Sequence, residues 1–106
     1  MLISLLKHYG IQKLNNVTMF AAAESQEEIE SLGYEAAPEE SLELLNSRYY
    51  GVKLNDTILC YASGPDKKEL VDMGYAVTSD KSDIISHGIY LWKKTYTSQK
   101  LIKDVE

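Results

Sequence analysis

Residues 33–41 read GYEAAPEES, and residues 74–82 read GYAVTSDKS, 41 positions further along. Each copy follows a short segment with helical spacing. In ESQEEIESLGY the apolar Ile29 and Leu32 stand three apart among acids, and in PDKKELVDMGY Leu70 and Met73 do the same. A glycine that ends a helix in the left-handed conformation is commonly followed by an apolar residue that folds back onto the last turn. Tyr34 against Ile29 and Tyr75 against Leu70 satisfy that pattern, so each Gly-Tyr pair reads as a helix stop with a hydrophobic clasp.

The likeness extends outward. Comparing residues 10–41 with 51–82 gives six identities: Gly10/Gly51, Ala21/Ala62, Glu28/Glu69, Gly33/Gly74, Tyr34/Tyr75 and Ser41/Ser82. Similar pairs lie between them, such as Val17/Ile58, Phe20/Tyr61 and Ile29/Leu70. The expected organisation is an internal pseudo-repeat of about 41 residues, 10–41 and 51–82, with a partial third unit at 83–97.

Helices are expected to restart after each stop. Pro38 suits a first helical position, with Glu39 and Glu40 at the positive end of the dipole, and Ser79-Asp80 is the counterpart. EESLELLNSRYYG and DKSDIISHG would be those helices, and LISLLKHYG the same element at the N-terminus. A glycine and a hairpin would follow each: IQKL-NN-VTMFA, VKL-ND-TILCYA and IYLW-KK-TYT. Asn-Asn and Asn-Asp tolerate left-handed angles in two-residue turns, whereas Lys-Lys is a poorer turn. Two-stranded ribbons need neighbours, so the hairpins must pair with one another or pack on helices. The fold class is α+β: tandem helix–β-hairpin–helix units with mainly antiparallel strands, in a single compact domain spanning residues 1–106.

Bulk properties narrow the function. With 106 residues, 44% apolar, one domain with a real core is affordable, and a net charge of −5 disfavours wholesale coating of nucleic acid. Cys60 is the only cysteine, which excludes an intrachain disulfide and a four-thiolate zinc site. It aligns with Met19 and reads as a small buried hydrophobe. His8 and His87 precede glycines and read as cations at helix C-termini, as do Lys7 and Arg48; no metal-ligand spacing is present. MLISLLKHYG lacks the basic leader and the apolar length of a signal peptide, and no stretch is long enough to span a bilayer. A cytoplasmic, non-enzymatic protein without cofactor is expected.

Charge placement supplies the candidate sites. Residues 24–43 hold eight acids and no base, whereas 65–84 balance Asp66, Glu69, Asp72, Asp80 and Asp83 with Lys67, Lys68 and Lys81. Glu24, Glu27, Glu28 and Glu30 form the first candidate, a surface that would dock on a basic protein and could keep it from nucleic acid. A solvated helix face is the plainer reading of the same residues. Tyr90, Trp92, Lys93 and Lys94 form the second, since aromatics interleaved with lysines suit stacking and phosphate contact. With the preceding helices they would give a winged-helix order, although the acids of that helix oppose phosphate binding. A lysine-protected edge hairpin is the plainer alternative there.

Overall fold

A computed structural model describes residues 6–55 and 58–90. The described chain is mixed α+β, mostly antiparallel sheet with short helices. Strand β1 (His8–Leu14) turns through Asn15 and Asn16 into β2 (Val17–Ala23), followed by helix α1 (Gln26–Ser31) and the short strand β3 (Glu35–Ala36). A 3-10 helix (Glu39–Leu44) leads to β4 (Tyr49–Asn55), β5 (Ile58–Gly64), helix α2 (Lys67–Asp72) and β6 (Ala76–Thr78). Residues 81–90 then form helix α3. Strands and helices of the first half start at 8, 17, 26 and 35, and those of the second at 49, 58, 67 and 76, in each case 41 later.

All six strands join one sheet in the order β3-β1-β2-β5-β4-β6. That order reads the same from either end when each strand is exchanged for its counterpart in the other half. The centre of the sheet is the β2–β5 pair, where Phe20 lies opposite Tyr61, 41 positions further along the chain. Both central strands are near-continuous apolar runs, VTMFAAA and ILCYASG, because the sheet is covered on both faces. On one face α1 and α2 drop Ile29 and Leu70, both fully buried, onto Val17, Met19, Ala21, Ile58, Cys60 and Ala62. Each contributes about 1.5–3 kcal/mol. On the other face Leu45 and Ile84 cover Phe20, Tyr50, Val52, Leu59 and Tyr61.

Both Gly-Tyr pairs close their helices identically. Gly33 and Gly74 have φ of +81° and +92°. The Gly33 N–H donates to the Glu30 carbonyl and that of Tyr34 to Ile29; Gly74 and Tyr75 repeat this with Val71 and Leu70. The tyrosines then fold under the sheet and are 9% and 4% exposed.

Several expectations are corrected. His8 and Tyr9 belong to β1, so no helix ends there and His8 is no helix-terminal cation. Arg48 lies in a bend before β4, and Lys7 is in neither helix nor strand; residues 2–5 of the helix expected at the N-terminus lie outside the described residues. The segment 39–51 is helical only as the 3-10 turn Glu39–Leu44; Tyr49, Tyr50 and Gly51 are already strand. Gly10 and Gly51 are thus mid-strand, and a side chain there would meet the tyrosine that crosses over each and, at Gly10, the still closer Ile29. An added Cβ at Gly51 would stand 2.6 Å from that of Tyr75, and one at Gly10 2.9 Å from that of Tyr34. Asn55 pairs with Ile58 as the last residue of β4, so it belongs to the strand and not to the expected Asn55-Asp56 turn, whose second residue lies outside the described residues. Helix α3 runs through His87, Gly88, Ile89 and Tyr90, so the third hairpin does not begin at Ile89. Trp92, Lys93 and Lys94 lie outside the described residues. No described helix is long and apolar enough to cross a membrane.

Candidate functional site

The acidic candidate is built on the N-terminus of α1. Ser25 caps the helix: its hydroxyl accepts from the Glu28 N–H at 3.3 Å, while the Glu28 carboxylate accepts the Ser25 N–H at 3.2 Å. This reciprocal box follows from the Ser-x-x-Glu spacing at 25–28. It fixes the helix start just where β2 ends. Glu24 and Glu27 are exposed on either side of the cap, and with Ser25, Glu28 and Ser31 they line an open, shallow depression. Glu30 is exposed but does not line it. The four acids therefore divide by role: Glu24 and Glu27 face solvent together, Glu30 points elsewhere, and Glu28 holds the helix.

Helix α2 has the same frame and different charges. Asp66 caps it, accepting the Lys68 N–H at 3.0 Å, and Lys67 and Lys68 stand exposed in its first turn. Lys68 occupies the position of Glu27. Glu35, on the edge strand β3, is also exposed, as are Glu39 and Glu40, so the acidic stretch covers the end of the sheet formed by β3 and β1. Glu43 instead pairs with Lys81 at 3.6 Å, tying the 3-10 helix to the start of α3.

The second candidate is not assembled as anticipated. Helices α2 and α3 are separated by β6 and lie on opposite faces of the sheet, so they form no helix–turn–helix. Tyr90 is helical and 61% exposed. Ile89, expected with Tyr90 in the third hairpin, is instead on the same helix and half-buried.

Beneath the α1–α2 layer lies a polar cluster not anticipated from sequence. Tyr34, Tyr75 and Cys60 are all buried there. Burial pushes the Cys60 thiol up to about 11, against a smaller opposing pull from Lys53. Burial, then the neighbouring thiol, push Tyr34 up to about 12, although a favourable contact with the Tyr75 hydroxyl partly offsets them. Tyr75 is raised further, by burial first and then by Tyr34 and Cys60, and its hydroxyl has no hydrogen-bond partner. A thiol held protonated is a poor nucleophile and a poor metal ligand. Lys53 closes its edge: Nζ donates to the Met73 carbonyl at 2.8 Å and sits 4.4 Å from the centre of the Tyr75 ring. Among the described residues no group of three or more His, Cys, Asp or Glu side chains could hold a metal ion.

Compared with protein-family models, characterised proteins and solved structures, the chain matches none of them.

Proposed function

We propose that this chain is a small acidic, non-enzymatic binding protein that docks on a basic macromolecular surface through Glu24 and Glu27. We further infer that its halves are a tandem pseudo-repeat whose copies diverged in surface charge. The observation that carries the reading is the contrast between the two helix starts. Both are capped and hold the same backbone position, yet one displays acids alone and the other lysines. Stability does not call for that contrast, since either set of charges leaves the caps and the buried Ile29 and Leu70 in place. A partner with a basic face accounts for it, because complementary charge speeds encounter and fixes register. Where that face binds nucleic acid, occupancy by this protein would be inhibitory.

Affinity capture from lysate with wild-type chain and with Glu24→Lys/Glu27→Lys tests the reading. The expected result is a basic protein retained by wild type, lost by the double variant and released as salt rises. Glu28 is avoided because its reversal would also break the helix cap. Equal capture by both chains would remove the acidic face from consideration.

A further inference from the structure

The sheet face opposite α1 and α2 contains a cavity of about 330 Å³. Its floor is the central pair Phe20 and Tyr61 with Ala22 and Leu59, and Leu42 of the 3-10 helix and Ile85 of α3 form facing walls. The space exists because of how α3 is seated. Gly88 lies so close to Tyr61 that an added Cβ would come 2.7 Å from the phenolic oxygen. The Tyr61 hydroxyl donates to the Ile85 carbonyl at 3.4 Å. The helix is thus pinned over Tyr61, and Ile85 overhangs the part of the floor where Ala22 offers only a methyl group.

Around the corresponding tyrosine of the second half, Tyr50, the packing is closer, and the larger opening of that half, about 560 Å³, lies instead between Val52, β6 and α3. Leu45 and Ile84, at 0% and 1% exposure, pack with Tyr50 and Val52 and leave Tyr50 at 8%. Tyr9, the counterpart of Tyr50, stays half-buried at the cavity, stacked on Phe20 with ring centres 5.8 Å apart. The mouth carries one charge of each sign, Lys7 and Glu39, both exposed. An apolar interior with a few polar groups at one end is the usual form of a small-molecule site. At roughly 30 Å³ per water-sized group, this one holds on the order of ten heavy atoms.

We propose that this cavity binds a single-chain amphiphile of about eight carbons with an uncharged hydrogen-bonding head group. The chain lies on Phe20, Ala22 and Leu59, and the head meets Tyr9, Lys7 and Glu39. A carboxylate head gains Lys7 but faces Glu39, and an ammonium head gains Glu39 but faces Lys7, so neither charge finds a net attraction to offset its desolvation, whereas a hydroxyl donates to Glu39 and accepts from Lys7. The site is independent of the acidic surface.

Titration of the ¹⁵N-labelled full chain with 1-octanol, octanoate and octylamine, followed by amide chemical shifts, tests it. Saturable shifts at Ala22, Leu59, Ile85 and Gly88 are expected with octanol, with affinity roughly tenfold above either charged analogue. Ala22→Leu fills the floor and should weaken octanol binding roughly tenfold or more while keeping wild-type spectral dispersion. Leu42→Trp, from the wall, blocks the same space independently should the first variant fold poorly. Absence of saturable shifts, or undiminished binding in the filled variants, overturns the site. Equal or tighter binding of a charged analogue overturns the head-group assignment. Proton contacts from residues 1–5 or 91–106 to Phe20 and Ala22 in ligand-free protein would show the chain filling its own cavity, and would also overturn it.

Discussion

Gly74 and Gly51 show two different reasons for glycine, and substitution separates them. Gly74 sits at φ +92° with an added Cβ 4.0 Å from its nearest neighbour, so Gly74→Ala meets backbone strain alone. The expected loss is about 1–2 kcal/mol. Gly51→Ala instead drives a methyl group into the Tyr75 side chain, 2.6 Å away, and should cost about 1–3 kcal/mol while shifting the tyrosine environment. Urea unfolding read by tyrosine fluorescence distinguishes them: Gly74→Ala moves the midpoint with an unchanged native spectrum, and Gly51→Ala changes both. Cys60 gives a pH dependence of definite sign. Its thiol is raised by burial from 9.0 to about 11, so unfolding releases a proton between those values. The stabilisation is complete below pH 9 and falls as pH rises toward 11, by about 1.4 kcal/mol per unit. Cys60→Ala should hold its own stability level only up to about pH 9. Above that, Tyr34, Tyr61 and Tyr75, also raised by burial, begin to ionise in the unfolded chain, so its slope between about pH 9 and 10 is shallower than that of the wild type. An identical slope in both chains between pH 9 and 10 would show that Cys60 does not carry it.

Helix stops were legible in the sequence because they are local: a left-handed glycine, an apolar residue after it and one at C3 leave little alternative within six positions. The Ser25-to-Glu28 box was equally local and passed unread, masked by the density of acids around it. What misled was the role of Gly10 and Gly51. From sequence they resemble the other stops; in the sheet a side chain at either would meet Tyr34 or Tyr75, far along the chain. Strands β3 and β6 were missed for a related reason, since two or three residues carry no periodicity and exist only because β1 and β4 offer them an edge. Of the proposed docking surface, the charge was readable and the division of labour was not. Glu27 and Glu28 are neighbours of one type, and only the hydrogen bonds separate solvent charge from cap. Removal of the caps tests this division. Ser25→Ala and Asp66→Ala should each cost about 1 kcal/mol, and Glu28→Gln rather less because an amide can still accept the Ser25 N–H. Glu27→Gln should leave the thermal midpoint unmoved. A midpoint that falls as far for Glu27→Gln as for Ser25→Ala would place Glu27 in the helix framework after all.

The sheet order places the whole burden of joining the halves on β2 and β5, with Leu45, Ile84 and the Lys81–Glu43 pair sealing the same seam. The chain crosses between halves once before α3, through residues 45–48, of which Leu45 is buried while Asn46 and Arg48 are exposed. Cutting there should leave the interface intact, whereas neither piece alone can satisfy it: β2 and β5 are almost entirely buried and would each present an open apolar edge. Fragments 1–46 and 47–106 are therefore expected to be poorly ordered apart and to fold together as a one-to-one complex. Self-association is the competing route, because Phe20 pairs with its own counterpart Tyr61, so a second β2 could take the place of β5 with Phe20 opposite Phe20. The mixed complex should prevail, since only the 47–106 piece brings Ile84 to close over Phe20, and only the 1–46 piece brings Leu45, which is fully buried in the same cluster. Far-ultraviolet circular dichroism and sedimentation of each fragment and of the mixture decide the matter. A mixture whose spectrum is the sum of its parts, with no species at the mass of the intact chain, would mean that the seam cannot form without covalent linkage.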